Sequence, residues 1–491
     1  MYNIHPLIYE INTWPWLKDL SNQYGVQIFL DNLPEEIIIQ ELASYDAIWL
    51  MGIWERSPQG RKIAQTHPGL QKEYQRVLKD LKDEDIVGSP YAIYNYHVDP
   101  QIGTDAGLQS LAKRLHEHGI KIIVDFVPNH LACDHKWQQN HPEYFIQGTE
   151  FDLKEEPKTF FKSENGIFAH GKDPYFDAWT DTLQFNAFSQ EMRNEVKKLL
   201  KWIATFADGV RCDMAMLLNT NIFQRTWNIK AKYPLVQEYW KEIVTDVKQK
   251  YPNFIFIAEV YWDLEWELQQ LGFDFCYDKL LYDRLRQGNI DSIKGHLKAD
   301  LNYQTKLVRF IENHDESRAF EIFGPKKSKL LATFLYTLPG ARLLHQGQRQ
   351  GRKIKIPVQL GRIPNEINQT WLDEYYGTLI DLNLFDSSSE GSWRQISTDL
   401  LSNQMELYPI IAYYWNFPSK IILVLCNFAD YDIISSLPIL NFNPLRKNLK
   451  CSKILNSEEG FMEVKTVNDC KDAIDFAIPK LTGSIYIWNK K

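Results

Sequence analysis

Cysteine is sparse in this chain: Cys133, Cys212, Cys276, Cys426, Cys451 and Cys470 are scattered through 491 residues, with no CxxC pair and no metal-ligand spacing. No segment reaches ~18 uninterrupted apolar residues, which excludes an obvious membrane span. The start, Met1-Tyr-Asn-Ile-His-Pro, lacks a basic region followed by an apolar run, so no signal peptide is expected. Free thiols without an export signal give cytoplasmic localisation as the expectation. Long blocks of one charge are missing too. The net charge of −8 is spread along the chain, which argues against nucleic acid or an anionic membrane as partner. No internal repeat and no low-complexity linker breaks the sequence.

What is present is a soluble, globular composition, 44% hydrophobic and 24% charged. The length calls for two or three domains. Fifteen Trp and 25 Tyr suit either an aromatic-rich core or flat faces offered to flat ligands such as sugar rings, and composition does not separate the two.

Short apolar runs alternate with helical stretches. Ala47-Ile-Trp-Leu-Met51 reads as a buried strand. Leu108, Leu111, Ala112 and Leu115 have helical spacing over 108–118, and Gly119 stops it. Residues 120–125 form the next strand. A helix over 191–206 leads into Gly209-Val-Arg-Cys-Asp213, and one over 238–250 leads into Phe254-Ile-Phe-Ile-Ala258. The pattern recurs at Leu307-Val-Arg-Phe-Ile311 and in the apolar stretch 331–344. Some 350 residues of this alternation imply a parallel sheet with crossover helices, most economically a closed (β/α)₈ barrel, the TIM-barrel class of α/β fold. Residues 131–187 lack a sustained period and are too long for a connection, which indicates an inserted subdomain after the third strand. From about 396 the pattern turns to alternating β segments. The expected organisation is therefore a barrel from 1–130 and 188–395, an insert at 131–187, and a C-terminal antiparallel β-domain at 396–491.

Reactive groups of such a barrel sit where strands end. Four strand ends carry polar clusters: Asp125-Phe-Val-Pro-Asn-His130, Gly209-Val-Arg-Cys-Asp213, Ala258-Glu259-Val260 and Glu312-Asn-His-Asp315. Arg211 and Asp213, two apart on a strand, point to one face. A cation there holds carboxylates ionised, as a carboxylate nucleophile requires. Glu259 ends an apolar run, where desolvation favours the protonated form of a proton donor. Retaining acetal cleavage uses such a pair, one carboxylate attacking the anomeric carbon and one acid protonating the leaving oxygen. Asp315 suits stabilisation of the transition state, and His130 and His314 are natural donors to sugar hydroxyls. Taken singly, each carboxylate is more often a cap or a solvated group, each histidine more often structural, and Arg211 could merely bridge carboxylates. Four clusters in order on one face favour catalysis.

The ordered set Asp125-Phe-Val-Pro-Asn-His130, Gly209-Val-Arg-Cys-Asp-Met-Ala215, Ala258-Glu-Val260 and Phe310-Ile-Glu-Asn-His-Asp315 resembles the four signature regions of the α-amylase superfamily, glycoside hydrolase family 13. Thr182-Leu-Gln-Phe-Asn186 is similar to its fifth region, and Leu338-Pro-Gly-Ala-Arg-Leu-Leu-His-Gln-Gly347 to its last-strand motif. The resemblance runs from residue 1 to about 395. It implies a barrel, an inserted domain after strand three and a C-terminal β-sandwich. It further implies Asp213 as nucleophile, Glu259 as acid/base and Asp315 as transition-state stabiliser, with Arg211, His130, His314 and Asp125 lining the subsite of the attacked sugar. Tyr91, in Gly88-Ser-Pro-Tyr-Ala-Ile-Tyr94, is the candidate platform beneath that ring, or a loop-packing tyrosine.

Two departures qualify the resemblance. Met216 and Leu217 stand where many α-amylases carry Lys-His for the leaving glucan, and Gln184 stands where an Asp commonly ligates structural calcium. Asn129 keeps another calcium position, but a hard cation prefers carboxylate oxygens, so a structural calcium is the less favoured of two readings, and no cofactor for the chemistry is expected. The polar insertion 56–87 is a candidate rim of the cleft. Arg349, Arg352, Lys353, Lys355 and Arg362 read as a solvated basic loop rather than as contacts to a charged sugar. Trp262 and Trp266 suit sugar platforms or core packing equally. The expected partner is an oligo- or polysaccharide. The expected activity is retaining hydrolysis of α-1,4-linked glucans or maltooligosaccharides. Transfer to a second sugar, hydrolysis of a small α-glucoside and a non-enzymatic role are the alternatives.

Overall fold

Eight short apolar segments carry the architecture. The computed structural model describes residues 5–231, 237–385, 391–396, 409–438, 451–456, 460–462 and 473–490. The eight strands are β1 (Leu7–Asn12), β2 (Ala47–Met51), β3 (Lys121–Phe126), β4 (Gly209–Cys212), β5 (Ile255–Ala258), β6 (Phe275–Tyr277), β7 (Leu307–Arg309) and β8 (Ala341–His345). Their spatial order follows the sequence and closes into a barrel, with parallel pairing from β1 through β6 and between β7 and β8. Both faces of such strands are covered, which is why they read as continuous apolar runs rather than as alternation. Every residue of β1, β2, β4 and β5 is buried. At Gly209 an added Cβ would lie 2.6 Å from both the Cβ and the carbonyl oxygen of Ile255, so only glycine lets β4 start this close to β5.

Each strand is followed by a helix: α1 (Thr13–Tyr24), α2 (Asp105–Glu117), α3 (Gln190–Ile203), α4 (Tyr239–Lys250), α5 (Glu265–Leu271), α6 (Lys279–Gln287), α7 (Ala319–Tyr336) and α8 (Thr370–Asp381). In α2, Thr104 caps the start by accepting from the Gly107 N–H, and the four residues of helical spacing are buried together with Gly107. Helix α3 stops at Ile203, short of the expected 206, and its last residues form a turn. The stretch 331–344 divides into the end of α7 and strand β8, separated by the Pro339-Gly340 turn.

By contact the chain forms two compact units, Ile8–Tyr277 with Ile354–Asn365, and Met1–Leu7 with Asp278–Lys353 and Glu366–Lys491. In the first unit two small antiparallel pairs form in and at the edge of the segment 131–187, His130–Ala132 with Thr182–Gln184 and Phe160–Ser163 with Gly166–Ala169. The polar insertion 56–87 is largely helical rather than a loop, with Pro58–Thr66 and Pro68–Val77 over a small core of Ala64, Tyr74, Leu78, Ile86 and Leu360. Arg362, read as solvated, instead grips Asp85 through two 2.8 Å bonds.

The second unit ends in antiparallel β structure: β9 (Ser392–Ile396), β10 (Ile410–Asn416), β11 (Lys420–Asn427), β12 (Ile433–Pro438), β13 (Cys451–Asn456), β14 (Gly460–Met462), β15 (Ala473–Ile478) and β16 (Thr482–Asn489). Six strands form one sheet, in the order β9-β10-β11-β16-β13-β14, and β12 pairs with β15. Side chains of both layers share one core, including Ile421, Leu423 and Trp488 from the sheet and Ile433, Phe476 and Ile478 from the pair. Tyr413 and Trp415 of β10 bond to the carbonyls of Phe334 and Thr337 at the end of α7, at 2.9 and 2.8 Å. Arg349, also read as solvated, pairs with Asp373 at 2.8 Å. Cys470 lies outside the described residues.

Candidate active site

Strand β4 delivers the central group. Arg211 sits in register with Asp125 of β3 and Ile257 of β5, and its side chain is buried. Its Nη1 lies 2.7 Å from Asp213 Oδ1, and its Nη2 lies 2.7 Å from Glu259 Oε2. Asp125 Oδ1 is 3.9 Å away. One guanidinium fork therefore bridges the two carboxylates that end β4 and β5, a geometry that a lysine point charge does not reproduce. Burial alone would weaken this cation. The negative charge of Glu259, the phenol groups of Tyr91 and Tyr277, and Asp213 outweigh burial and hold Arg211 protonated well above its ordinary range.

Backbone bonds continue the β4–β5 ladder beyond the strands. The Glu259 N–H donates to Cys212 O and the Ala215 N–H to Glu259 O, each at 3.0 Å, and the Asp213 N–H reaches Phe126 O at 2.9 Å. Met214, directly after Asp213, takes the left-handed conformation (φ 42°, ψ 44°). That turn is costly for a residue with a Cβ, and its N–H donates to Glu259 Oε2 at 2.7 Å. The Tyr261 hydroxyl donates to the other oxygen, Oε1, at 2.7 Å.

The remaining sequence candidates of this unit divide by role. Asp125 is fully enclosed: Gly52 N–H donates to Oδ2 at 2.8 Å and the Trp49 indole to Oδ1 at 3.3 Å. It thus backs the Arg211 charge. The Tyr91 ring lies 5.3 Å from the guanidinium carbon, beside the cluster. His130 is buried, with Nδ1 3.3 Å from Asn129 Nδ2 and its ring 5.2 Å from that of Trp179. Burial pushes its pKa down to about 3, so the ring is neutral. Sequence reasoning missed Tyr261, the Met214 N–H and Tyr277, whose hydroxyl accepts from Arg211 Nε at 3.3 Å. A strand-end Tyr277 on β6 was a usable signal, whereas the other two depend on backbone turns.

In the second unit, the segment after β7 presents the third carboxylate. Asn313 Oδ1 accepts from the N–H groups of Asp315 and Glu316, both at 2.9 Å, a side-chain turn that projects Asp315. The Asp315 side chain is 42% exposed and lies 2.9 Å from Nε2 of the buried His314. Glu312, by contrast, is buried. Burial opposes its charge, but Arg318 and His345 hold it ionised, below the usual carboxylate range.

Four exposed aromatic residues stand out, two shortly after Glu259 in sequence and two in the insert. Trp262 and Trp266 are 38% and 56% exposed, so neither is a core residue. Trp262 meets Tyr175 of the insert edge-on, with ring centroids 5.0 Å apart, and Phe176 is exposed beside it in sequence. Met216 and Leu217 are buried. They therefore pack inside the protein and do not offer an apolar surface to an incoming sugar.

Residues 39–375 match the family model described as the alpha-amylase catalytic domain. The chain belongs to the α-amylase family. Alpha-amylase 3 of Dictyoglomus thermophilum is 28% identical over 302 residues, covering 57% of this chain and 56% of that protein. The 4-alpha-glucanotransferase of Thermotoga maritima is 25% identical over 284 residues, covering 52% and 59%. The chain thus spans little more than half the length of these relatives. The crystal structure of an α-amylase from Geobacillus thermoleovorans, complexed with acarbose, aligns over 100% of both chains with a TM-score of 0.68 at 18% identity, a likeness of fold.

Calcium, which the family resemblance raises, does not fit the residues this α-amylase-family chain places at the root of its insert. Asn129 and Gln184 face each other across the short His130–Ala132 pairing. Asn129 Nδ2 donates to Gln184 Oε1 at 3.2 Å. Gln184 Nε2 donates back to Asn129 Oδ1 at 3.0 Å and to the carbonyls of Asn129 and Phe185 at 2.9 and 3.0 Å. The oxygens a cation would use are occupied by amide donors, and a hard ion prefers carboxylates.

Proposed function

We propose that this chain is a retaining α-glycoside hydrolase that cleaves α-1,4-linked glucans or maltooligosaccharides through a covalent glycosyl-enzyme intermediate. The observation that carries the reading is the buried Arg211 fork, which hydrogen-bonds Asp213 at 2.7 Å and forms an ion pair with Glu259 at the same distance. A shared guanidinium suits the close carboxylate pair of retention, about 5–5.5 Å apart, rather than the wide pair of inversion.

In this reading Asp213, ionised beside Arg211, attacks the anomeric carbon while Glu259 gives its proton to the departing glycosidic oxygen. Water then enters. Glu259 takes its proton, the hydroxyl cleaves the ester to Asp213, and the product keeps the α configuration. Asp315 is assigned to the oxocarbenium-like charge of the transition state. Neutral His130, together with His314, is assigned as a hydrogen-bond partner of the sugar hydroxyls, and Tyr91 as the surface beneath the ring. Gln184 and Asn129 take the place of a cation, and no metal enters the chemistry.

Among the described residues no helix is long and apolar enough to cross a membrane. Cys133, Cys212 and Cys426 are buried free thiols, which fits a reducing, cytoplasmic setting, and the family fits a role in carbohydrate metabolism. Retention of all three carboxylates favours an enzyme over a non-catalytic relative. The likeness to a glucanotransferase supports one alternative, transfer of the glycosyl group to a second sugar. The buried Met216 and Leu217 give that alternative no added support.

Incubation of the purified protein with maltoheptaose, followed by NMR and chromatography, tests the reading. Shorter products released as α-anomers are expected. A ladder of longer chains would replace hydrolysis by transfer, and release of β-anomers would refute retention. No turnover of maltoheptaose, with turnover of a small α-glucoside, would move the activity to that substrate.

A further inference from the structure

The two oxygens of Glu259 are held by different kinds of partner. Oε2 accepts from the Met214 N–H at 2.7 Å and forms an ion pair with Arg211 Nη2, also at 2.7 Å, and neither of these groups can accept a proton's hydrogen bond. A proton placed on Oε2 would point at those donors. Oε1 is bound at 2.7 Å by the Tyr261 hydroxyl, which, unlike the Met214 N–H and Arg211, can change from donor to acceptor. The chain just past Tyr261 is bent back by two successive left-handed residues, Trp262 (φ 65°) and Asp263 (φ 60°), neither of them glycine. Trp262 is also braced edge-on by Tyr175 of the insert. Paired strain of this kind persists where surrounding structure enforces it, and it lies directly beside the Tyr261–Glu259 contact.

We propose that Tyr261 is a positioning residue that makes Oε1 the proton-carrying oxygen of Glu259. The inference rests on the hydrolase reading above and adds to it which atom moves the proton. In the resting acid form, the Oε1–H group is oriented by Tyr261 acting as acceptor. When the C–O bond breaks, that proton passes to the leaving oxygen, the bonding pair leaves with the same oxygen, and Asp213 supplies the pair that forms the ester. The carboxylate left behind accepts the Tyr261 O–H at Oε1. In the second half Oε1 recovers a proton from the attacking water and Tyr261 turns again. Tyr261 neither gains nor loses a proton over the cycle.

Tyr261→Phe tests this with two substrates that differ in their need for a proton. α-Maltosyl fluoride expels fluoride without protonation, whereas maltotriose must have its leaving oxygen protonated. The variant should lose about tenfold in kcat/KM on maltotriose, the worth of one hydrogen bond to a charged group, and less than about twofold on the fluoride. Glu259→Gln should show the same contrast, enlarged. Equal losses on both substrates in a variant that melts like the parent would overturn the inference, as would an unchanged maltotriose rate. If the parent itself turns over neither substrate, the hydrolase reading fails instead.

Discussion

Replacing Arg211 by Met keeps the length and most of the bulk of the side chain and deletes its charge. The structure sets the size of the consequence. Asp213 and Glu259 each lose a 2.7 Å charged partner, Asp125 loses a cation 3.9 Å away, and all three stay largely enclosed. Removing one partner of a buried pair costs about 3–5 kcal/mol. With two pairs broken at once the upper end is expected, about 5 kcal/mol, a large share of a total stability of about 5–15 kcal/mol.

The loss should depend on pH with a definite sign. A carboxylate cluster without its cation relieves repulsion by binding a proton that the unfolded chain does not hold, so the variant loses stability as pH rises. Urea unfolding of Arg211→Met at about pH 5.5 and about pH 8 should show the larger deficit at the higher pH. Arg211→Lys should recover part of the loss, since it restores charge without the fork. A Met variant as stable as the parent at both pH values, or one that loses more at the lower, would refute the reasoning.

Two further predictions concern groups away from the reacting carboxylates. Burial pushes His5, His130 and His135 down to about 3, against an ordinary value of 6.5. Between those limits the unfolded chain binds protons that the folded chain refuses, so stability falls as pH drops through the window, by up to about 2 kcal/mol per histidine at pH 5. Denaturant titrations from about pH 7 to about pH 5 should show this slope. His135→Asn should flatten it, and a flat parent profile would contradict the assignment. At the root of the insert, the melting temperature of the parent should be the same in calcium and in EDTA. Gln184→Asp, which replaces an amide donor by a carboxylate facing Asn129 oxygens, should lose about 1–3 kcal/mol in EDTA and recover with calcium. A parent that melts lower in EDTA would refute the amide pairing.

Much of this was legible in the residues. The barrel strands were visible because strands covered on both faces must be apolar throughout, and the strand-end carboxylates because each interrupts such a run. Arg211 and Asp213 were placed on one face by a period of two. What remained hidden depends on backbone direction. No pattern in Met214-Ala215 or in Tyr261-Trp262-Asp263 announces a left-handed turn, since Met and Trp seldom adopt one, so two of the Glu259 partners could not be foreseen. The insertion 56–87 read as a polar rim because its helices bury only a small core of their own. Met216 and Leu217 looked like a changed acceptor side, but their apolar side chains are turned into the protein. Arg362 looked solvated because Asp85, its partner at 2.8 Å, lies far away in sequence.

The central claim is that Asp213 forms a bond to the substrate. Incubation of the enzyme with a fluorinated α-glucosyl fluoride that slows release of the intermediate, followed by proteolysis and mass spectrometry, reads this directly. A glycosyl adduct on the peptide containing Asp213, absent from Asp213→Ala, is the result the account predicts. An adduct on another residue, or full turnover by Asp213→Ala, would contradict it.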